Sequence, residues 1–253
     1  ESVDVIISGA GLPLRLPALI KNDRTKIVPI VSSGRAAQII CSTWLRRYSR
    51  LPDAIIVEGP LAGGHLGYSL AELNDPEHFS LDSILTDVLA VTRNFENDKA
   101  RIPVIAAGGI FDGQDICRVM HLGASGVQVG TRFVCTNECD VSLKYKEAYL
   151  NAKKEDIVVI KSPVGLPGRV IRNEFVKKVT EGVRVPFGCE YKCLYTCDAN
   201  KVNYCIAKAL LNASRGEMDK GFAMCGSNAY RINKIVSVKE LIFELVKETE
   251  VCL

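Results

Sequence analysis

The chain has 253 residues, 47% of them apolar and 24% charged, with a net charge of +3. That length suits one large domain or a barrel with an appendage, and the balance is that of an ordinary soluble globular protein. Lys and Arg are scattered, with no basic run interleaved with aromatics, and no apolar stretch reaches membrane-spanning length. Both points argue against nucleic acid or a membrane as partner. The opening ESVDVIISGAG has neither a basic leader nor a long apolar core and reads as a strand inside a domain. A cytoplasmic location is therefore expected. In that compartment the ten cysteines are expected as free thiols or metal ligands rather than as a disulfide framework.

Asp4–Ser8 reads as a buried strand, followed by a glycine-containing loop and a short helix near Pro17–Lys21. Ile27–Ser32 is the next strand, with a helix over Arg35–Arg47. Ala54–Glu58 is a third, followed by the loop GPLAGGHLGYS and a helix over Leu81–Asn94. Pro103–Ala107 comes next with a helix over Gly113–Leu122, then Gly126–Val129 with a helix beginning near Thr131. Continuous apolar strands alternating with helices predict an α/β protein with a parallel sheet buried on both faces. Five βα units are visible where a closed (β/α)8 barrel needs eight. Residues 1–150 therefore read either as an open α/β sheet or as the later part of a barrel lacking its first strands.

Beyond residue 150 the pattern changes. Residues 151–188 look loop-like, as in KSPVGLPGRVIRN, and residues 189–220 look cysteine-rich and helical. Residues 237–249 predict an amphipathic helix with Ser237 as N-cap and Glu240 completing a capping box. Residues 151–253 are read as a loop and helical region packing on the βα units.

Four constellations carry chemistry. PVIAAGG and GVQVGTRF each end an apolar run in glycine where a loop begins, which points to Gly108, Gly109, Gly130 and Thr131 as a phosphate cradle. Side chains beyond Cα would block the approach of an anion, and the Thr131 hydroxyl adds a donor. The plain alternative is a pair of tight βα turns. In Glu58-Gly59-Pro60-Leu61-Ala62-Gly63-Gly64-His65, the histidine follows a strand end, where such sheets place catalysis, and imidazole exchanges protons near neutral pH. The plain alternative is a loop histidine bonded to nearby backbone. His78 and His121 are assigned no role.

In Ser8-Gly9-Ala10-Gly11, Gly9 is a candidate to line a cofactor face. Leu14 fills the third glycine position of a dinucleotide fingerprint, which weakens that reading. Ser32-Ser33-Gly34 reads as a helix N-cap, and Gly226-Ser227-Asn228 as a loop between helices. Cys189-x3-Cys193-x3-Cys197, with Cys205 and Cys225 later, would place the first three thiols on one stripe of a helix. Such thiols could bind an iron–sulfur cluster or zinc, but the spacing matches neither the usual zinc pattern nor the ferredoxin runs, and no metal is assigned.

EGPLAGGHLG, PVIAAGGI, GVQVGTRF and SPVGLPGRVIRN occur here in the order seen in the nitronate monooxygenase family, formerly 2-nitropropane dioxygenases. FMN-dependent enoyl-acyl-carrier-protein reductases of type II are close relatives of that family. The resemblance runs from about residue 3 to residue 175. It implies a TIM (β/α)8-type barrel that here starts near strand four, with a helical cysteine-rich C-terminal segment outside the general pattern. It implies FMN held by Gly108, Gly109, Gly130 and Thr131, with Ala107 and Gln128 on the adjoining strands. Gly63 and Gly64 match the loop beside the flavin ring, and His65 the catalytic histidine.

The implied reaction is oxidation of a small nitronate or nitroalkane by dioxygen to a carbonyl compound and nitrite. The alternatives are NAD(P)H-dependent reduction of an enoyl thioester and a non-catalytic phosphate-ligand module or inactive fragment. An open five-strand remnant would expose two apolar edges, so the chain alone is expected to be unstable or to form a homo-oligomer.

Overall fold

The computed structural model describes residues 3–22, 24–95, 101–190, 192–193 and 197–252. The chain divides into two compact units, residues 1–60, 70–129 and 247–253 in the first and residues 61–69 and 130–246 in the second.

The first unit opens with β1 (Val5–Ser8), α1 (Leu16–Leu19), β2 (Lys26–Val31), α2 (Gly34–Tyr48) and β3 (Ile55–Glu58). The chain enters the second unit for β4 (Gly64–His65). It returns for α3 (Leu70–Leu73), α4 (Leu81–Arg93), β5 (Val104–Ala107), α5 (Gly113–His121) and β6 (Gly126–Gln128). The strands form one sheet in the order β1-β2-β3-β5-β6, parallel throughout. This is the chain-order succession of a (β/α)8-type barrel, and the expected α/β class is seen. Ile55, Ile56 and Val57 are almost wholly buried, which is why these strands read as continuous apolar runs rather than alternating ones.

The helices start where the sequence signals them. Ser33, Ser80 and Asp112 accept hydrogen bonds from the N–H groups of Ala36, Ser83 and Asp115, at 3.2, 3.2 and 3.0 Å. Trp44 on α2 is fully buried, and its indole N–H donates to the carbonyl of Pro13 at 3.1 Å. The start of α5 holds a feature that no local signal announces. The Gly113 N–H donates to the Glu248 carboxylate at 2.8 Å, and a Cβ on Gly113 would lie 2.2 Å from Glu248 Cβ. On the same helix Cys117 is joined by a disulfide to Cys252, with Cα atoms 6.2 Å apart. This corrects the expectation that all ten cysteines are free thiols or ligands.

The second unit continues with α6 (Thr131–Val134), α7 (Leu143–Leu150), β7 (Ile157–Lys161), β8 (Pro167–Ile171), α8 (Glu174–Thr180), α9 (Ile206–Ser214) and α10 (Val238–Glu250). Its sheet runs β4-β8-β7, antiparallel. Residues 151–188 are thus a hairpin and a helix rather than loop. The Pro and Gly density of SPVGLPG is confined to the turn, where Gly165 takes φ +87°, and the β-branched flanks IVVIK and RVI pair. The rings of Phe175, Tyr204 and Phe222 meet in the core with centroids 5.4 to 6.0 Å apart.

The stripe expected for Cys189, Cys193 and Cys197 does not form. The helix begins only at Ile206, and none of these cysteines lies in a helix. Gly182, Pro186 and Gly188 break helical continuity ahead of them. The last helix forms as predicted: the Ser237 hydroxyl accepts from Glu240 N–H at 3.1 Å, and the Glu240 carboxylate accepts from Ser237 N–H at 2.7 Å.

Candidate functional site

The candidate residues fall in both units. In the first, β5 and β6 are hydrogen-bonded neighbours, and Ala107 stands opposite Gln128 at their ends. Ala107 is buried and Gln128 exposed. Straight after Ala107 the chain takes two successive left-handed residues, Gly108 at φ +90° and Gly109 at φ +89°. Only glycine adopts that pair without strain, and such turns direct successive N–H groups to one side. Glu58 ends β3 opposite Ala107, and burial raises its carboxyl pKa above the usual range. Gly9 follows β1, which two strands separate from β5, and a Cβ there would lie 3.1 Å from Ile30 Cδ1. In the first unit the structure thus brings Ala107, Gly108, Gly109 and Gln128 to neighbouring strand ends and leaves Gly9 apart from them.

The second unit builds a tight setting around His65. The residue sits in β4, paired with Gly168 of β8, and not in an irregular loop. Its Nε2 lies 2.7 Å from Ser162 Oγ, and Ser162 is only 3% exposed. The half-buried imidazole has its pKa pulled below the ordinary histidine value by burial. Gly64 holds φ +76°, and a Cβ on Gly63 would come within 2.5 Å of the Cys225 carbonyl carbon. Glycine at 63 is therefore required by the chain's own packing.

Arg169, 7% exposed, donates to the carbonyl of Ala62, and its carbonyl accepts from Cys225 N–H at 3.1 Å. Burial lowers the Arg169 pKa and pushes the Cys225 thiol up to about 12, so that thiol is inert. The segment 225–228 is more than a connecting loop. Gly226 N–H donates to the Thr131 hydroxyl at 2.9 Å and Ser227 N–H to the Leu61 carbonyl at 3.1 Å. Thr131 keeps its hydroxyl proton available for donation. A Cβ on Gly130 would meet nothing within 4 Å, so the space beside that backbone is open.

A flavin phosphate needs N–H groups that no side chain covers. Within the first unit the left-handed Gly108-Gly109 pair has this character, and within the second, taken by itself, so does the open backbone at Gly130 beside the Thr131 hydroxyl. Sequence reasoning missed Ser162 and Arg169. The available signal was a serine at the head of a turn and an arginine inside an apolar run, GRVI, both within a motif already singled out. Among the described residues no group of three or more His, Cys, Asp or Glu could hold a metal ion, and no helix is long and apolar enough to cross a membrane.

Comparison with known proteins gives the family. A probable nitronate monooxygenase of Staphylococcus aureus is 36% identical over 129 residues, which are 51% of this chain and 34% of the relative. The (3aS,4S,5R,7aS)-5-hydroxy-7a-methyl-1-oxo-octahydro-1H-indene-4-carboxyl-CoA dehydrogenase of Mycobacterium tuberculosis is 35% identical over 184 residues, 73% of this chain and 46% of that one. The structure of FabK from Thermotoga maritima superposes with a TM-score of 0.75 at 31% identity, over 98% of this chain and 68% of that one. This chain thus spans between a third and a half of these two curated relatives. The family model described as nitronate monooxygenase matches residues 1–248, and the chain belongs to the nitronate monooxygenase family.

Proposed function

We propose that this chain serves an FMN-dependent oxidation of a small nitronate or nitroalkane by dioxygen, giving a carbonyl compound and nitrite. The observation that carries this reading is the setting of His65 within a chain that matches the family over residues 1–248. Bound FMN supplies the transfer of electrons from the nitronate to dioxygen. The Gly108-Gly109 turn, the Gly130 backbone and the Thr131 hydroxyl are the groups assigned to its phosphate, with Ala107 and Gln128 beside them. Gly63 and Gly64 are assigned to its ring and Gly9 to a cofactor face.

The protein's own chemistry centres on His65. Ser162 Oγ engages Nε2, so Nδ1 is the ring nitrogen left for substrate. With the ring proton on Nε2 and donated to Ser162, Nδ1 takes the proton from the carbon of a nitroalkane and leaves a nitronate. With the ring proton on Nδ1, it donates a hydrogen bond to a nitronate oxygen. Burial keeps the imidazole neutral at neutral pH, as either role requires.

A second reading has an observation in its favour. The chain aligns with FabK over 98% of its length, and reduction of an enoyl thioester by NAD(P)H uses the same flavin. The protein is loaded with FMN and mixed anaerobically with a nitronate, then with NADPH. Bleaching by the nitronate, followed by nitrite release on admitting oxygen, supports the first reading. Bleaching by NADPH alone, with turnover of an enoyl thioester, replaces it with the second. A protein that never takes up FMN overturns both and leaves a non-catalytic module.

A further inference from the structure

Ser162 stands at the head of the β7–β8 turn, and two backbone bonds fix it there. Its N–H donates to the Leu166 carbonyl at 3.0 Å, and its carbonyl accepts from Gly165 N–H at 2.9 Å. Two groups then meet its hydroxyl: Val164 N–H lies 3.4 Å from Oγ, and His65 Nε2 lies 2.7 Å from it. A hydroxyl has two acceptor lone pairs and one proton to give. When Nε2 carries the ring proton, both neighbours donate and both lone pairs are taken. Neither neighbour can accept the hydroxyl proton, which turns elsewhere.

The space it can turn to is wet. Ser162 lines a cavity of about 450 Å³ in the second unit, bounded by the β7–β8 turn, the end of α8 and residues 201–204. Lys161, Thr180 and Lys201 in that lining are exposed, so solvent reaches it, while Ser162 itself is 3% exposed. The cavity has room for several waters. One hydroxyl therefore joins the far side of the His65 ring to solvent.

We propose that Ser162 is a positioning residue that relays the Nε2 proton of His65 to water in this cavity, turning the ring from a base into a hydrogen-bond donor within one turnover. The inference rests on the nitronate reading above. The C–H bond of the nitroalkane breaks, its electron pair stays on the nitronate, and the proton joins Nδ1. Burial disfavours the imidazolium so formed, and the nitronate occupies the Nδ1 side, so the charge is discharged through Nε2. The Nε2 proton passes to Ser162 Oγ as the hydroxyl's own proton passes to water. The ring is then neutral, with Nδ1–H against a nitronate oxygen and Nε2 accepting from Ser162. When product leaves, Nδ1 yields its proton to solvent, and the cavity returns one through Ser162 to Nε2. One proton per turnover has gone from substrate to water.

Nitrogen NMR of the full chain reads the ring without substrate, with His65→Gln identifying its signals. The neutral ring is expected to carry its proton on Nε2. Exchange of that proton with water should be faster in the unaltered chain and in Ser162→Thr, which keeps the hydroxyl, than in Ser162→Ala. The FMN-loaded proteins are then given a nitroalkane or its preformed nitronate. Ser162→Ala should lose about 10²-fold on the nitroalkane, as for loss of a proton-transfer group, and much less on the nitronate. Ser162→Thr should recover most of that loss. A neutral ring protonated on Nδ1, equal exchange in the unaltered and alanine proteins, or equal losses on the two substrates each overturns the relay. Should a variant fail to fold, the unaltered chain decides: slower turnover of the nitroalkane in deuterium oxide, without slowing on the nitronate, supports the relay, and its absence overturns it. A chain that takes up FMN but oxidises neither substrate overturns the proposed function instead, and the exchange rates still judge Ser162.

Discussion

His65 is held by one hydrogen bond and by its burial, and both have measurable consequences. His65→Gln keeps a polar group near Ser162 but cannot take up a proton. Turnover of a nitroalkane is expected to fall by about 10²–10⁴-fold, a range set by general acid–base catalysis. Turnover of a preformed nitronate should fall less, because no proton is removed. Equal losses on both substrates would remove the base role.

Stability should report the same residue. The folded pKa lies below the unfolded one, so above the unfolded value the neutral imidazole costs the native state nothing. As pH falls toward and through the folded value, the unfolded chain takes up the proton first and stability is lost. Thermal melts over mildly acid pH should show a shallower decline for His65→Gln. The role of His65 was legible because glycines flank it beyond a strand. Its partner was not, since Ser162 lies 97 residues away and only the hairpin brings it near.

At the scale of elements, α5 depends on residues far along the chain. Gly113→Ala would set a methyl 2.2 Å from Glu248 Cβ and 2.7 Å from its backbone carbon. Overpacking of this kind costs about 1–3 kcal/mol, and a urea titration should show it as a lower midpoint with an unchanged slope. Cys117→Ser, or reduction of the native protein, opens a link between residues 135 apart. A loss of about 2–4 kcal/mol is expected, and a melting temperature indifferent to reductant would contradict it.

The strands and caps of this unit were readable because each is a local pattern: a β-branched run, or Ser33 and Asp112 ahead of a helix. The β7–β8 hairpin is hidden in the sequence because its five turn residues, 162–166, outweigh two short strands. Neither the Glu248 contact nor the disulfide leaves a local trace. Both are long-range pairings between segments that look ordinary.

For the whole molecule, among the described residues β1 stands at one edge of the first unit's sheet and pairs with β2 alone. Val5 and Ile7 on that strand are 51% and 54% exposed. An apolar strand edge of this kind recruits other chains. Size-exclusion chromatography with light scattering should find this chain self-associated, and Val5→Lys/Ile7→Lys should shift it toward monomer. A monomeric unaltered chain would sink that expectation.

The last helix has a further consequence. Its residues up to 246 belong to the second unit, and those from 247 on to the first, where Glu248 caps α5 and Cys252 closes the disulfide. Domains generally settle in the order in which the ribosome delivers them, and here that order is inverted. The βα units up to residue 129 emerge before residue 130 yet lack the carboxylate and the sulfur that complete them until residues 247–252 have cleared the exit tunnel. Nascent chains arrested with residue 246 just outside should remain sensitive to protease in α5, and chains lengthened by six residues should become resistant. During synthesis the βα units are thus made before the residues that complete them, and in that interval nascent-chain chaperones have most to protect.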